Sequence, residues 1–587
     1  MSRLEHDLRE TTHYNALMAR DRNQVGRGQP RARIANEERL VALGDAVSRR
    51  EPGTSHRTPR TRRRVWIRRT AIAVGLVIVL VVGGVVADYY YLGSLVNKQN
   101  VKNLQSAGAT ENILLIGSTT RCGLKVQNKA YGLCSPATAG VNSDIDMIVH
   151  LDPSTKAVSL LSIPRDLFVP NARTDGANKI DAALYQGPSQ LVAAIEEDLA
   201  IPINHYVELN FDTFSNVVNA LGGVRMYFPT PIYDAESDLN IERPGCYLLD
   251  GRHALQLVRA RHLQIQPNPS NHDPRSWPQE ALSDLARIQR THEFLRVLGA
   301  KVASRGLGNP ITDQGIATAV LPDLTVDSGF SESAMVSLAE TFAHTNISTL
   351  PQLTYPVIAV LSSLLYRGYP YGEVVFPVQP TGVNTVNQIF GVSTGTDSFT
   401  ARPLPAPSSV AISVENGTGI ASQAALVARQ LGAKGFHVRS TANVTPDGPV
   451  SETVVWYGGS PPPANGDWTS PGLAAAESVL AQLQGPAILG YDPAKVAPGA
   501  IVTVQSGTDL TVKSRVAPAK TPTKKKKTSS TSTTTTTIYD PPGVSTNNSF
   551  NAPSSTNQAL ASYDPRACNA AGTGPATAPA SKTTTKK

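Results

Sequence analysis

Hydrophobic positions in this 587-residue chain follow two patterns, and the first is one long continuous run. Residues 70–87, TAIAVGLVIVLVVGGVVA, carry no charge, and three tyrosines follow Asp88. With these interfacial tyrosines the run approaches the roughly 20 residues that a membrane-spanning helix needs. We therefore predict a transmembrane helix over residues 70–92, with a buried core helix as the alternative. A cleaved signal peptide fits poorly, because the run starts far from the N-terminus and no small-residue cleavage pattern follows.

The second pattern is an alternation of short apolar runs with amphipathic ones. Strand-like NILLIG, DMIVHL, AVSLLSI and HYVELNF alternate with helix-like SQLVAAIEEDLA, TFSNVVNALGG and SDLARIQRTHEFLRVLGAKVAS. This alternation predicts an α/β domain over residues 111–395, large enough to bury a substantial core. A linker over residues 93–110 precedes it.

Turn-rich and low-complexity stretches divide the rest of the chain. The Pro-rich ARPLPAPSS predicts a hinge at residues 396–408. Strand-like VAISVENGTG, FHVRS and TVVWYG, with helix-like ASQAALVARQLGAKG, then predict a small α/β domain over residues 409–513. From residue 514 a lysine run, a threonine tract and repeated Ser, Asn, Pro and Ala predict a disordered tail to residue 587.

Positive charge is concentrated before the apolar run. Residues 1–69 hold 17 Arg, no Lys and 8 Asp plus Glu, a net charge of +9, whereas the whole chain is +8. The positive-inside rule therefore places the N-terminus in the cytoplasm and the bulk of the chain outside. We interpret residues 1–69 as a disordered, lipid-facing cytoplasmic arm. The basic pI of 9.2 thus does not indicate a nucleic-acid-binding protein.

All four cysteines follow the apolar run, as an external location would favour. Cys122 and Cys134 bracket a short polar loop and could close it as a disulfide in an oxidising compartment, with two unpaired thiols as the alternative. We expect Cys568 to be free. No CxxC pair or Cys/His cluster with zinc spacing is present.

Arginines and carboxylates recur in three segments of the first domain: LLSIPRDLFVP, LDGRHALQLVRARHL and DLARIQR. Planar guanidinium groups grip paired oxygens, which suits a ligand bearing phosphates. Arg259 and Arg261 are two apart, so on a strand they would point to one face. Arg287 and Arg290 are three apart on a predicted helix, which taken alone is typical of a solvated face. The pattern favours a pyrophosphate substrate.

Together these residues resemble the LytR-CpsA-Psr family of cell-wall enzymes. The resemblance runs through NILLIGSTTR, NSDIDMIVHLD, LLSIPRD, KIDAAL, VNALGGV, LLDG with HAL, VRAR and DLARIQR, in the family's order. It implies a membrane-anchored α/β domain with a central mixed sheet flanked by helices. The second block resembles the small C-terminal domain of actinobacterial members, mainly through VENGTG.

The resemblance implies a phosphotransferase at the cell membrane, with a single pass and an extracytoplasmic catalytic domain. Such enzymes move a glycopolymer from a polyprenyl-pyrophosphate carrier onto peptidoglycan through a phosphodiester. The Ala-, Gly-, Pro- and Arg-rich composition suits an actinobacterial source, in which case the polymer would be arabinogalactan. Its partners would be the carrier-linked glycopolymer, peptidoglycan and the cytoplasmic membrane, with no nucleic acid.

The resemblance also assigns roles to individual residues. The predicted catalytic residues are Arg165, Asp166 and Asp144, and Asp144 is also the predicted ligand of Mg²⁺, because magnesium prefers hard oxygen ligands. The predicted substrate-binding residues are Arg121, Arg259, Arg261, Arg287 and Arg290. We expect Asp146 to lie on the strand face opposite Asp144. Three segments interpreted as helices, SQLVAAIEEDLA, TFSNVVNALGG and VIAVLSSLLY, are expected to form apolar walls for the lipid.

Four positions depart from the family pattern. Thr119 replaces an aspartate that normally helps to hold the metal, and Asn142 replaces a frequent arginine. Thr291 stands in place of a glutamine, and Asp181 in place of the usual asparagine. A second hypothesis is therefore a catalytically degenerate relative that binds the carrier or wall-assembly partners as a scaffold.

Overall fold

The computed structural model describes residue 91, residues 93–513 with gaps, and residues 576–577. The gaps are 107, 123, 125–132, 137–138, 281–282, 306–317, 319, 343–344, 346–349, 361–362, 445–450 and 460–469. The predicted cytoplasmic arm and nearly all of the predicted transmembrane helix and disordered tail therefore lie outside the described residues. Within the described part of the chain, no helix is both long enough and apolar enough to cross a membrane.

Strands and helices alternate through the described residues as the sequence predicted. The strands are β1 (Asn97–Gln99), β2 (Glu111–Ser118), β3 (Ser143–Asp152), β4 (Ala157–Ile163), β5 (Phe168–Arg173), β6 (Gly176–Lys179), β7 (His205–Leu209), β8 (Val224–Phe228), β9 (Ile232–Asp234), β10 (Leu239–Ile241), β11 (Gly245–Leu249), β12 (Gln264–Ile265), β13 (Thr325–Asp327), β14 (Gln352–Thr354), β15 (Val357–Val360), β16 (Leu365–Tyr366), β17 (Tyr369–Pro370), β18 (Val374–Gln379), β19 (Ala411–Asn416), β20 (His437–Asn443), β21 (Thr453–Tyr457), β22 (Leu483–Tyr491), β23 (Val502–Ser506), β24 (Thr511–Val512) and β25 (Ala576–Thr577). The α-helices are α1 (Pro188–Leu199), α2 (Phe211–Ala220), α3 (Gly251–Arg259), α4 (Ser283–Arg305), α5 (Glu332–Phe342), α6 (Thr381–Phe390), α7 (Gln423–Ala433) and α8 (Pro471–Leu480).

The first block is built on a mixed sheet with the strand order β1-β13-β7-β2-β3-β4-β14. Its centre is antiparallel where β2 pairs with β3 and parallel where β2 pairs with β7. Both faces of the sheet are covered by other elements, so side chains on both faces of these strands are buried. Their sequences are therefore nearly continuous apolar runs. The expectation of an α/β domain with a mixed sheet flanked by helices is thus confirmed.

Separate hydrophobic clusters lie on the two faces of this sheet. On one face, Leu114 and Ile116 of β2 pack with Leu191 and Ile195 of α1 and with residues of α6. Another cluster joins α2, α3 and α4 through Phe211, Leu255 and Phe294. The α2–α4 layer carries three of the arginine positions that the sequence singled out.

The second block forms its own core but shares a sheet with the first. The strand order β15-β18-β22-β21-β23-β19-β20 joins β18 of the first block to β22 of the second. The Tyr457 hydroxyl donates to the Glu197 carbonyl oxygen of α1 at 2.9 Å. Asn171 exchanges two hydrogen bonds with the backbone of Tyr491, at 2.8 and 3.0 Å. In addition to the Pro-rich segment that links them along the chain, the two blocks are therefore held together by backbone and side-chain contacts.

Two local predictions were wrong. The segment VIAVLSSLLY contributes β15 and β16 rather than a helical wall. Arg259 ends α3 and Arg261 follows in the next turn, so the two arginines do not share a strand face. The Asp250 side chain accepts from the His253 backbone and begins α3, which turned an expected extended segment into a helix.

The predicted Cys122–Cys134 disulfide is confirmed. Cys246 on β11 is also disulfide-bonded, and no described cysteine is free. Cys568, which we expected to be free, lies outside the described residues. Two residues of the tail, β25, pair in parallel with β11 beside Cys246.

Candidate functional site

The site begins where β4 ends. The polypeptide leaves β4 through Pro164, and the next two residues are Arg165 and Asp166. The Arg165 guanidinium donates to the Asp144 carboxylate, and it lies 3.8 Å from Asp166 and 3.4 Å from Asp181. Burial opposes the charge on Arg165, but Asp144 and then Asp181 raise its pKa above its usual value. Arg165 is therefore a permanent positive charge held by several carboxylates.

Two further arginines join this centre from the α2–α4 layer. Arg287 of α4 lies 3.8 Å from Asp144 and 3.0 Å from Asp284. Arg261, after α3, lies 3.6 Å from Asp166 and 3.8 Å from Asp284. Three sequence segments thus meet at one charged cluster, called here the arginine cluster: Arg165, Arg261 and Arg287 with Asp144, Asp166, Asp181 and Asp284.

The remaining predicted residues lie around this cluster. The Arg259 guanidinium carbon is 4.5 Å from the Phe211 ring centroid. Arg290 is buried and donates to the Glu280 carboxylate and to the Ala260 carbonyl, so it fixes the segment that carries Arg261. Arg121 is half-buried in the loop after β2, next to Cys122. Arg287 and Arg290 are only 3% and 2% exposed, so the solvated-face interpretation of this pair was wrong.

The carboxylates of the cluster have different proton affinities. Burial alone would raise the pKa of Asp166, but Arg165, a hydrogen bond from Lys179 at 2.8 Å and Arg261 outweigh it and lower the pKa. Burial raises the pKa of Asp181 to about 6, despite the opposing charge of Arg165. Asp166 is therefore anionic at neutral pH, whereas Asp181 exchanges its proton close to neutrality.

Asp146 was expected to face away from Asp144, and that expectation was wrong. Its buried carboxyl accepts from the Ser143 hydroxyl at 2.9 Å, and burial raises its pKa to about 7. Arg287 and Arg165 both oppose this rise, so Asp146 shares the two arginines that hold Asp144. The pairing of β2 with β3 shifts register beside Asp144, and residues two apart on a strand point to the same face.

Several buried polar atoms of this centre lack a hydrogen-bond partner within the described residues. They are Asp146 Oδ1, Arg165 Nε, Arg261 Nε and both carboxylate oxygens of Asp284, although Asp284 Oδ1 forms an ion pair with Arg287 at 3.0 Å. A buried polar atom without a hydrogen bond costs about 1–3 kcal/mol and in native proteins usually signals a functional site or an ordered ligand or water. Their concentration here indicates a centre built to receive a polar group.

An apolar cavity of about 70 Å³ opens beside the charged groups. Asp144, Arg259 and Arg287 line one part of it, and the rest is mainly hydrocarbon from β2, β3 and the α2–α4 layer, with the polar residues Ser118, Asn210 and Thr291. The hydrophobic contributors include Leu115, Met147, Leu209, Phe211, Phe214, Leu255, Val258 and Leu295. Only TFSNVVNALGG of the three predicted wall segments contributes. The other walls come from the same helices that carry Arg259 and Arg287.

Three of the four departures from the family pattern, at positions 119, 142 and 181, are connected by contacts. The Thr119 hydroxyl accepts from the Asn142 backbone at 2.9 Å, and the Asn142 amide lies 3.5 Å from the Asp181 carboxylate. Asp181 in turn contacts Arg165. Relative to the family pattern, this chain thus lacks a carboxylate at position 119 and gains one at position 181. Among the described residues, no group of three or more His, Cys, Asp or Glu is arranged to hold a metal ion.

Sequence reasoning gave no role to Lys179 or to the carboxylate of Asp284. Lys179 opens the motif KIDAAL, and its ammonium group fixes Asp166. Asp284 lies in the first turn of α4, where acidic residues are common, yet it pairs with two arginines from different segments. The sequence signal for this role was the position of Asp284 in DLARIQR, three residues before Arg287.

Comparison with known proteins agrees with this architecture. Residues 90–373 match the model of the LytR_cpsA_psr family. Residues 409–510 match the model described as LytR cell envelope-related transcriptional attenuator. Residues 90–373 therefore form a domain of the LytR-CpsA-Psr type, as the motifs predicted, and residues 409–510 form a LytR_C domain behind it.

Curated relatives are similar over part of their length. The chain is 33% identical over 263 residues to the probable cell wall biosynthesis protein LcpB of Corynebacterium glutamicum, covering 44% of this chain and 57% of that protein. It is 31% identical over 207 residues to the polyisoprenyl-teichoic acid–peptidoglycan teichoic acid transferase TagV of Bacillus subtilis, covering 34% and 51%. The chain thus spans about half the length of these relatives. A solved LytR-Csp2A-Psr enzyme from Actinomyces oris is 21% identical, with a TM-score of 0.40, covering 50% of this chain and 95% of that one.

Proposed function

We propose that this protein is a phosphotransferase that takes a glycopolymer from a polyprenyl-pyrophosphate carrier and joins it to peptidoglycan through a phosphodiester. The observation that carries the proposal is the position of the arginine cluster against an apolar cavity, with Asp144 and Arg287 belonging to both. A prenyl diphosphate has the same two halves, an anionic head and a hydrocarbon tail. The names of the curated relatives support a role in cell-wall assembly.

The reaction needs charge neutralisation more than it needs a protein nucleophile. Arg165, Arg261 and Arg287 would hold the diphosphate oxygens and stabilise the charge that builds up during transfer. A hydroxyl oxygen of the acceptor glycan forms a bond to the phosphorus next to the sugar. The bond from that phosphorus to the bridging oxygen breaks, and the polyprenyl monophosphate leaves.

The acceptor hydroxyl must lose a proton in this step. Asp181 suits that role, because its pKa of about 6 leaves it mostly deprotonated, yet basic enough to accept a proton, at neutral pH. Asp166 is held by Arg165, Lys179 and Arg261, and its lowered pKa makes it a positioning carboxylate. Asp166 therefore keeps Arg165 and Arg261 oriented toward a common ligand.

The residues present suit Mg²⁺ as the cofactor. Asp144 is half-buried beside the cavity, and Asp284 Oδ2 is buried with no hydrogen-bond partner among the described residues. Magnesium accepts one or two carboxylates when substrate phosphates and water complete its coordination. We propose that Asp144, with Asp284 nearby, would hold the ion, which when bound supplies further neutralisation of the diphosphate.

We also propose that residues 70–92 anchor the chain in the cell membrane, with the N-terminus in the cytoplasm and the bulk of the chain outside. The uncharged apolar run and the arginine-rich segment before it support this topology. For the transferred polymer we propose arabinogalactan, on the actinobacterial composition of the chain. This location would bring the cavity within reach of a carrier lipid.

The test is hydrolysis of geranylgeranyl pyrophosphate by the full chain in detergent, with and without Mg²⁺. The proposal expects phosphate release that requires Mg²⁺ and disappears in EDTA. Thr119 in place of the usual aspartate supports the second candidate, a degenerate scaffold. Prenyl-pyrophosphate binding that persists in EDTA, without turnover under either condition, would favour that scaffold and reject the enzyme.

A further inference from the structure

A second cavity, larger than the apolar cavity beside the arginine cluster, lies between the two blocks. Its volume is about 440 Å³, within the roughly 300–1,000 Å³ typical of small-molecule sites. One wall is the β5–β6 hairpin together with the β16–β17 turn of the first block. The opposite wall is formed by β21, β23 and the turn after β22 of the second block.

The wall chemistry is mixed rather than cationic. Arg173, Arg367 and Lys495 face the cavity, but so do Asp175 and Asp492. Asn171, Gln505 and Ser506 add polar side chains, each of which already makes a hydrogen bond within the protein and has the capacity for one more. Such a lining offers little net charge for a polyphosphate and several polar partners for hydroxyl groups.

Aromatic rings supply the apolar part of the same cavity. Phe168 and Tyr366 meet edge to face at 5.3 Å on one wall, and Trp456 and Tyr491 lie on the other. Aromatic rings next to hydrogen-bonding side chains suit a ligand that has apolar C–H faces, which pack against rings, and hydroxyl groups around its edge, which form hydrogen bonds.

Glu452 gives an independent indication that the cavity receives a ligand. Its side chain lines the cavity and is 4% exposed, and its Oε1 atom has no hydrogen-bond partner among the described residues. Burial raises its pKa well above the usual range. A buried carboxyl with an unused oxygen destabilises a protein unless a ligand satisfies it.

We propose that this interdomain cavity, centred on Glu452 and walled by Tyr366, Trp456 and Tyr491, is a saccharide-binding site. The β5–β6 hairpin connects it to the arginine cluster, because Asp166 and Lys179 flank the hairpin base and Arg173 lies near its tip. Six residues of β5 span roughly 20 Å at about 3.3 Å per residue. A glycan chain could occupy the cavity while its reacting end lies at the arginine cluster. The inference is argued from the lining and stands whether or not the arginine cluster transfers a phosphoryl group.

The saccharide has two possible sources, the transferred polymer and the peptidoglycan acceptor. Isothermal titration of the full chain in detergent with an arabinogalactan oligosaccharide, and separately with a peptidoglycan disaccharide, distinguishes them. We expect one of the two to bind, and Glu452→Met and Tyr366→Ala each to weaken that binding at least 10-fold. Glu452→Gln, which keeps a hydrogen-bonding group, should stay within about 3-fold of the wild type.

Two controls keep the outcome interpretable. Glu452→Met removes an unpaired buried acid, so its melting temperature should equal or exceed that of the wild type, and lost binding would not reflect unfolding. Arg165→Lys should bind the saccharide as the wild type does, which separates this site from the arginine cluster. Binding of neither saccharide, or binding unchanged in both Glu452→Met and Tyr366→Ala, would overturn the proposal.

Discussion

Replacing Arg165 by lysine is the sharpest single perturbation of the proposed centre. Arg165 reaches Asp144, Asp166 and Asp181 with three different nitrogens. Lysine keeps the positive charge but loses the planar fork, so one ammonium group must replace three directed contacts. Loss of one preorganised donor typically costs about 2.7–4 kcal/mol in transition-state stabilisation. We therefore expect prenyl-pyrophosphate hydrolysis to fall roughly 100- to 1,000-fold.

Lysine is preferable to alanine for this test because Arg165 also stabilises the fold. Its side chain is only 16% exposed, and alanine would leave three carboxylates without this counter-charge. Breaking a buried ion pair by removing one partner costs about 3–5 kcal/mol. Arg165→Ala should therefore melt at a clearly lower temperature, and its inactivity would be ambiguous.

The matched control is Arg252→Lys. Arg252 pairs at 3.0 Å with an exposed aspartate, Asp238, and its side chain is 40% exposed. This variant should hydrolyse the substrate at the wild-type rate, since surface ion pairs contribute little. A wild-type rate in a folded Arg165→Lys protein would refute the role given to Arg165.

Three other predictions follow from the site and the domain interface. Val258→Phe should fill the apolar cavity and raise the KM for geranylgeranyl pyrophosphate at least 10-fold while leaving inorganic pyrophosphate binding unchanged; an unaltered KM would remove the cavity from the lipid path. Asp181→Asn should lower the rate of hydrolysis at least 10-fold, and adding Thr119→Asp to this variant should restore the rate. An inactive double variant would argue against the idea that the carboxylate at position 181 replaces the one missing at position 119. Burial raises the pKa of Glu197 from its ordinary value of 4.5 to about 8 in the folded protein. Between these two pH values the Glu197 carboxyl group is protonated in the folded state and deprotonated in the unfolded state. The free energy of unfolding should therefore fall from pH 6 to 8, by up to about 1.4 kcal/mol per pH unit for this group, and Glu197→Gln should flatten the slope in urea titrations; equal slopes would contradict the prediction.

The elements that the sequence predicted well are those with a strong local signal. β2, β4 and α1 carry uninterrupted apolar patterns, and the structure places them where the patterns did. α3 was missed because its start depends on a cap by Asp250, which also reads as a turn signal. VIAVLSSLLY was misjudged because a short apolar run does not distinguish a strand from a helix.

The site was only partly predictable, because its neighbours come from distant segments. Motif order brought Arg165, Arg261 and Arg287 forward as candidates, and the structure places them around shared carboxylates. Asp284 and Lys179 have ordinary local explanations, so their part in the cluster appears only once the chain is folded. The cavity that Glu452 and the β5–β6 hairpin both line depends on the pairing of two domains, which no local pattern encodes.

The most direct test of the central claim is a crystal structure of the protein with geranylgeranyl pyrophosphate and Mg²⁺. The account predicts diphosphate oxygens among Arg165, Arg261 and Arg287, and the prenyl chain between Phe211 and Val258. A diphosphate bound elsewhere, or a prenyl chain outside the α2–α4 layer, would contradict it.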